Sequence, residues 1–250
     1  VLVAAIGIGA TAPAEETPII AVATNLSHPL AEISDRFAAE NGIRVRLSFG
    51  SSGNFTNQIR QGAPYELFLS ADRKFVDVLA ADGLTAGEPS AFAAGRIGAL
   101  IPEGSSLSAA TDLKSLINLM INGSYRRIAM ANPKFAPFGV AAEEALQSAG
   151  VWAIERDRVA LAENAAQAVQ FTLSGNVDVG IIPYSFALLP EVGGKGRFFL
   201  FPPEWHKPLS QWRVLLKGAG DAARRFHEYL GGGPARDVLE KFGYTVPESQ

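Results

Sequence analysis

The sequence predicts an α/β protein made of two small, mainly parallel sheets flanked by helices. From residue 18 onward, short β-branched or aliphatic runs alternate with segments of helical period, the pattern of strands joined by crossover helices. The chain has 250 residues, 48% of them apolar and 19% charged. That is more than one average domain and fewer than two at about 150 residues each, and it is too apolar for disorder or a coiled coil. The 25 glycines and 15 prolines supply the many turns such a fold needs.

Each element follows in order. The first fourteen residues, VLVAAIGIGATAPA, are apolar but too short to span a bilayer. Ala10-Thr11-Ala12 and Ala12-Pro13-Ala14 have the small-x-small form of a cleavage site. Residues 1–16 therefore read as the remnant of a signal peptide and are set apart from the fold, with an ordinary buried strand as the alternative. Strands are expected at 19–24, 44–49, 66–70, 96–101, 127–131, 158–161, 177–182, 197–201 and 212–216. A helix is expected at 29–40, where Leu30, Ile33 and Phe37 form one apolar stripe before Asn41-Gly42. Similar patterns run over 55–60, 74–81, 113–121, 140–149, 166–173, 222–230 and 235–242. Neither 91–102 nor 202–216 is a flexible tether; each reads as a loop feeding a strand. They suggest a first lobe of 17–94 with 209–250 and an inserted second lobe of 95–208, with a ligand cleft between them.

Composition removes several chemistries. No cysteine is present, so thiol catalysis, disulfides and thiolate metal sites are excluded. The three histidines, His28, His206 and His227, have no metal-ligand spacing, and no metal site is expected. A net charge of −3 offers no general attraction for nucleic acid. GxSxG is absent, which leaves an enzyme using Ser52 or Thr24 as nucleophile without its usual frame.

Ligands of open α/β sheets sit outside the carboxyl ends of the strands. Four loops at such ends are small, hydroxylated or proline-bearing: 24–29, 50–54, 132–139 and 163–167. Each leads into a helix whose first N–H groups can hold an anion. The same residue types also serve as plain helix caps. Thr24-Asn25 and residues 50–54 include no acid, which suits a fully ionised anion that only accepts hydrogen bonds. Glu163 is expected to face away, Asp72 to cap the next helix, Trp205 and His206 to shape a crossing, and Arg224-Arg225 to be solvated.

Ala23-Thr24-Asn25-Leu26-Ser27, Ser48-Phe49-Gly50-Ser51-Ser52-Gly53 and the run from Gly62-Ala63-Pro64 to Ser70-Ala71-Asp72 resemble the periplasmic molybdate-binding proteins of ABC importers. The resemblance continues through Asn132-Pro133, Ala136-Pro137-Phe138-Gly139, Ala162-Glu163-Asn164, Val179-Gly180-Ile181 and Phe242-Gly243-Tyr244. It implies a two-lobed periplasmic-binding-protein-like fold of type II. It also implies oxyanion contacts at Thr24, Asn25 and Ser52 and backbone donors at Phe138 and Ala165. Many relatives have Ala-Ser where this chain has Thr24-Asn25, so the hydroxyl would come from Thr24 and an N–H from Asn25. Where some relatives place a tyrosine ligand, this chain has Pro183, with Tyr184 one residue later.

The function implied is capture of molybdate or tungstate and delivery to an inner-membrane permease, by an exported monomer without cofactor or catalysis. A binding protein for sulfate, phosphate or a small organic anion is the alternative.

Overall fold

The computed structural model describes residues 17–123, 125–152 and 156–247; the segment 1–16, expected to be a signal-peptide remnant, lies outside them. The strands are β1 Ile19–Ala23, β2 Arg46–Gly50, β3 Leu67–Ser70, β4 Ser90–Gly95, β5 Ile97–Pro102, β6 Ile128–Ala131, β7 Val159–Ala162, β8 Val179–Pro183, β9 Gly196–Leu200 and β10 Leu209–Leu215. The helices are α1 Ser27–Asn41, α2 Ser52–Arg60, α3 Arg73–Ala81, α4 Leu113–Ile121, α5 Pro137–Ser148, α6 Ala165–Leu173, α7 Tyr184–Ala187, α8 Pro190–Gly193, α9 Asp221–Tyr229 and α10 Gly233–Lys241. None of them is long and apolar enough to cross a membrane.

Two five-stranded sheets result, in the orders β2-β1-β3-β10-β4 and β7-β6-β8-β5-β9. In the first, β1 pairs parallel with β2 and β3, while β10 runs antiparallel to β3 and β4. The second repeats the plan, with β6 parallel to β7 and β8, and β5 antiparallel to β8 and β9. One strand in each sheet is thus reversed, and in both cases it is the strand that arrives from the other sheet. β5 follows β4 across Arg96 alone, and β10 follows β9 across residues 201–208. Loops from the carboxyl ends of strands in both sheets meet at one hollow.

Packing follows the sequence pattern. Leu30, Ile33 and Phe37 of α1 are buried as the stripe requires, in a core with Ile20, Val22, Leu67, Leu69 and Phe226. The Phe37 and Phe226 rings meet edge-on at 5.1 Å. Burying each such side chain contributes roughly 1.5–3 kcal/mol. A second core, including Ile97, Leu116, Met120, Ile128, Met130 and Leu146, lies against the other sheet.

One strand was not anticipated. Residues 90–95, SAFAAG, pair with β10 across a register shift between Gln211 and Trp212. Small residues carry little β-propensity of their own, so this edge strand exists through its partner. β10 itself begins at Leu209 rather than at residue 212.

The first sheet also carries an acid-sensitive contact. His227 of α9 is half-buried beside Arg213, and burial, with the guanidinium adding to it, pushes its pKa down to about 4 from 6.5. The folded protein therefore resists protonation of a ring that the unfolded chain protonates readily. Its contribution to stability is complete above pH 6.5 and is lost as pH falls toward about 4. Replacing His227 with glutamine should flatten this part of the acid limb, as read by urea melts at pH 7.5 and 4.5. A variant as acid-sensitive as the parent in that window would assign the effect to other groups.

Candidate functional site

The loops at the carboxyl ends of β1, β2, β3, β6 and β7 enclose one hollow between the two sheets. Its walls are Ala23, Thr24 and Asn25; Gly50, Ser51 and Ser52; Ala71; Ala136, Pro137 and Phe138; and Asn164 with Ala165. All five residues singled out from sequence, Thr24, Asn25, Ser52, Phe138 and Ala165, are brought together here. No lining side chain is charged. A wider hollow of about 470 Å³ beside Arg126 and Arg127 opens at the amino end of β6, away from these loops.

The helix starts are largely uncapped, which separates anion donation from mere capping. The Thr24–Leu26 turn of 3-10 helix, α1, α2 and α5 receive no side-chain hydrogen bond at their N-caps. First-turn N–H groups have no carbonyl partner inside their own helix. In α5 the first residue is Pro137, which has no N–H, so Phe138 offers the first donor. By contrast α6 is capped, with the Asn164 side chain accepting from Gln167 N; that leaves Ala165 at the first helical position. Each helix start also brings about half a positive charge.

Close approach of these elements depends on glycine. A Cβ on Gly139 would lie 2.3 Å from Ala131 O, and one on Gly53 would lie 3.0 Å from Phe135 O. Thus α5 packs directly on the end of β6, and α2 on the loop that follows it.

The hydroxyls divide by what they already do. Thr24 Oγ1 donates to Gly50 O at 2.7 Å and so braces two loops of the hollow that it lines. Ser52 Oγ accepts from Ala71 N at 3.1 Å and keeps its proton available. Ser51 Oγ is buried without a hydrogen-bond partner among the described residues. In the sequence Ser51 stands beside Ser52 in the Gly50-Ser51-Ser52-Gly53 motif, and nothing local distinguishes its role.

Asn25 turns its side chain away from the hollow. Its Nδ2 donates to Gln211 Oε1 at 2.7 Å and to Tyr244 Oη at 3.0 Å. Its carbonyl accepts from Tyr244 Oη at 2.7 Å and from Ser185 Oγ at 3.0 Å. Burial pushes the Tyr244 phenol up to about 12, so it stays protonated and donating. Ser185 belongs to α7, beside the second sheet, and this bond therefore ties the two halves together. Two more cross-connections lie at the rim: Gly53 N donates to Phe135 O at 2.9 Å, and Asn54 Nδ2 to Glu163 Oε1 at 3.1 Å.

The remaining candidates lie outside the lining. The Glu163 carboxylate is occupied with Asn54 at the exposed rim. Tyr184 stacks on Phe198 at 5.6 Å, and His28 meets Phe186 edge-on at 5.4 Å. Asp72 caps α3 by accepting from Lys74 N. Ser185, Gln211 and Tyr244 were missed because their roles depend on partners far away in sequence.

Donors without countercharge, gathered from two sheets joined by two crossings, suit the binding of an anion, and the proteins that the chain resembles are binding proteins. A family model for bacterial extracellular solute-binding proteins matches residues 19–245. The chain is 34% identical over 246 residues to the molybdate-binding protein ModA of Rhodobacter capsulatus, covering 97% of this chain and 94% of that one. It is 28% identical over 227 residues to ModA of Escherichia coli, covering 90% and 87%. Its structure superposes on the periplasmic molybdate-binding protein of Azotobacter vinelandii with a TM-score of 0.83 and 27% identity, over 92% of this chain and 100% of that one. With its fold and nearly its whole length in common with them, the chain belongs to the bacterial extracellular solute-binding proteins.

Proposed function

We propose that this protein captures molybdate, or the similarly shaped tungstate, in the periplasm and delivers it to the inner-membrane permease of an ABC importer. The observation that carries the proposal is the hollow lined from both sheets without a charged side chain. A tetrahedral dianion with no proton near neutral pH can only accept hydrogen bonds. A site of N–H and O–H donors serves it, and an inward carboxylate would repel it. Its ligands are Thr24 and Asn25 through the first loop, Ser52 through its free proton, and Phe138 and Ala165 through their backbone.

In this reading residues 17–94 with 209–250 form one lobe and 95–208 the other, and the crossings at Arg96 and 201–208 act as the hinge. Closing the lobes excludes water and strengthens every donor contact. Sulfate has the same charge and shape but is smaller, so rigid helix starts select by cavity size. The protein works as an exported monomer, without cofactor or catalytic step, after loss of the segment at 1–16.

Calorimetric titration of the purified protein with molybdate, tungstate, sulfate and phosphate tests this. Tight one-to-one binding of molybdate or tungstate is expected, with the two smaller anions weak; tight sulfate or phosphate binding with silence for the metal oxyanions defeats the proposal. Ser52→Ala should weaken the oxyanion about 10-fold or more, and it should also lower the stability of the free protein by about 1–3 kcal/mol, since Ala71 N loses its acceptor.

A further inference from the structure

We infer that the Ser51 hydroxyl is a direct donor to the bound oxyanion, a contact additional to the five residues named above. The inference rests on the oxyanion reading of the site. Ser51 is the N-cap residue of α2, yet its side chain makes no capping bond. The residue is 3% exposed, lines the hollow, and leaves its Oγ without a partner among the described residues.

Burying a hydroxyl with its hydrogen bonds unmade is costly, and native structures keep such groups where something outside the chain satisfies them. The other two hydroxyls at the site already have partners within the protein, Thr24 with Gly50 O and Ser52 with Ala71 N. The other buried side-chain atom in the same position, Tyr125 Oη, sits in the core against the second sheet and not in the hollow. Among the described residues Ser51 alone therefore combines burial, an unmade bond and a place on the wall of the hollow. Its hydroxyl turns about one bond, so it can donate to a fully deprotonated tetrahedral anion without any backbone movement.

The two serines should answer differently to truncation, and that difference is the test. Ser51→Ala and Ser52→Ala are melted without ligand and titrated with molybdate and sulfate beside the parent protein. For Ser51→Ala the expected result is an unliganded melting temperature equal to or above that of the parent, with molybdate bound about 10- to 100-fold more weakly. Ser52→Ala should lose on both measures. Parent-like molybdate affinity in Ser51→Ala, or a lower melting temperature with affinity intact, overturns the inference and assigns the hydroxyl a structural role. A parent protein silent to both anions overturns the oxyanion reading itself, and this contact with it.

Discussion

Replacing Gly53 with valine is expected to weaken oxyanion binding by at least ~100-fold while costing the unliganded protein far less. Gly53 stands in the first turn of α2, and its N–H donates to Phe135 O, across the cleft, at 2.9 Å. A Cβ there would lie 3.0 Å from that oxygen and 3.1 Å from Phe135 Cα. Both are backbone atoms of the opposing loop, which cannot rotate aside as a side-chain tip can. The two γ-methyls of valine then require the loops to separate. Gly53 has no positive φ, so valine fits its backbone conformation, and the change from glycine favours the helix slightly. The ring of Phe75 in the neighbouring α3 would also lie 3.2 Å from the new Cβ, but as a side chain it can turn aside, so the larger steric cost falls on the closed form. If the closed form is disfavoured by about 3 kcal/mol, apparent affinity drops by more than a factor of 100, because a ligand that needs a minor state binds in proportion to its population. Calorimetry with molybdate, together with small-angle scattering with and without ligand, would check this. Native affinity in Gly53→Val would mean that the α2–Phe135 contact does not form on closure.

This contact also marks what the sequence could and could not convey. The apolar stripe of α1 and the alternation of strands and helices are local patterns, and they placed both cores and the strand ends that surround the hollow. The helices at the site begin earlier than their periodicity suggests: α2 at Ser52 rather than residue 55, and α5 at Pro137 rather than residue 140. Their first turns are small polar residues or proline, which carry no apolar period. β4 was hidden for the related reason that alanine and glycine pair only when a partner is present. Side-chain roles were harder still. The bond from Thr24 Oγ1 to Gly50 O joins two loops that lie 26 residues apart. Asn25 meets Ser185, Gln211 and Tyr244 over sequence separations of 160, 186 and 219 residues, which no local window can connect.

Substituting Asn25 with aspartate should be the most damaging single charge change in the molecule, and its damage should lessen in acid. Asn25 is 3% exposed, and its Nδ2 donates to Gln211 Oε1 at 2.7 Å. Gln211 cannot simply turn its amide over, since its Nε2 donates to Leu209 O at 2.7 Å. An aspartate would set carboxylate oxygen against amide oxygen, with no charged side chain in the hollow's lining to offset it. Leaving a buried charge uncompensated costs roughly 3–5 kcal/mol, so urea melts at pH 7.5 should report a loss of about that size. The carboxyl's folded pKa is raised above its unfolded value of about 3.9. Stability of the variant is then highest below that value and declines as pH rises through the folded pKa. Protonation returns a donor facing Gln211 and removes the charge beside the ligand, so the molybdate affinity, reduced at least ~100-fold at pH 8, should recover toward the parent's at pH 6. Binding within threefold of the parent at pH 8, or a deficit that does not change with pH, would contradict an anion site whose selectivity comes from donors alone.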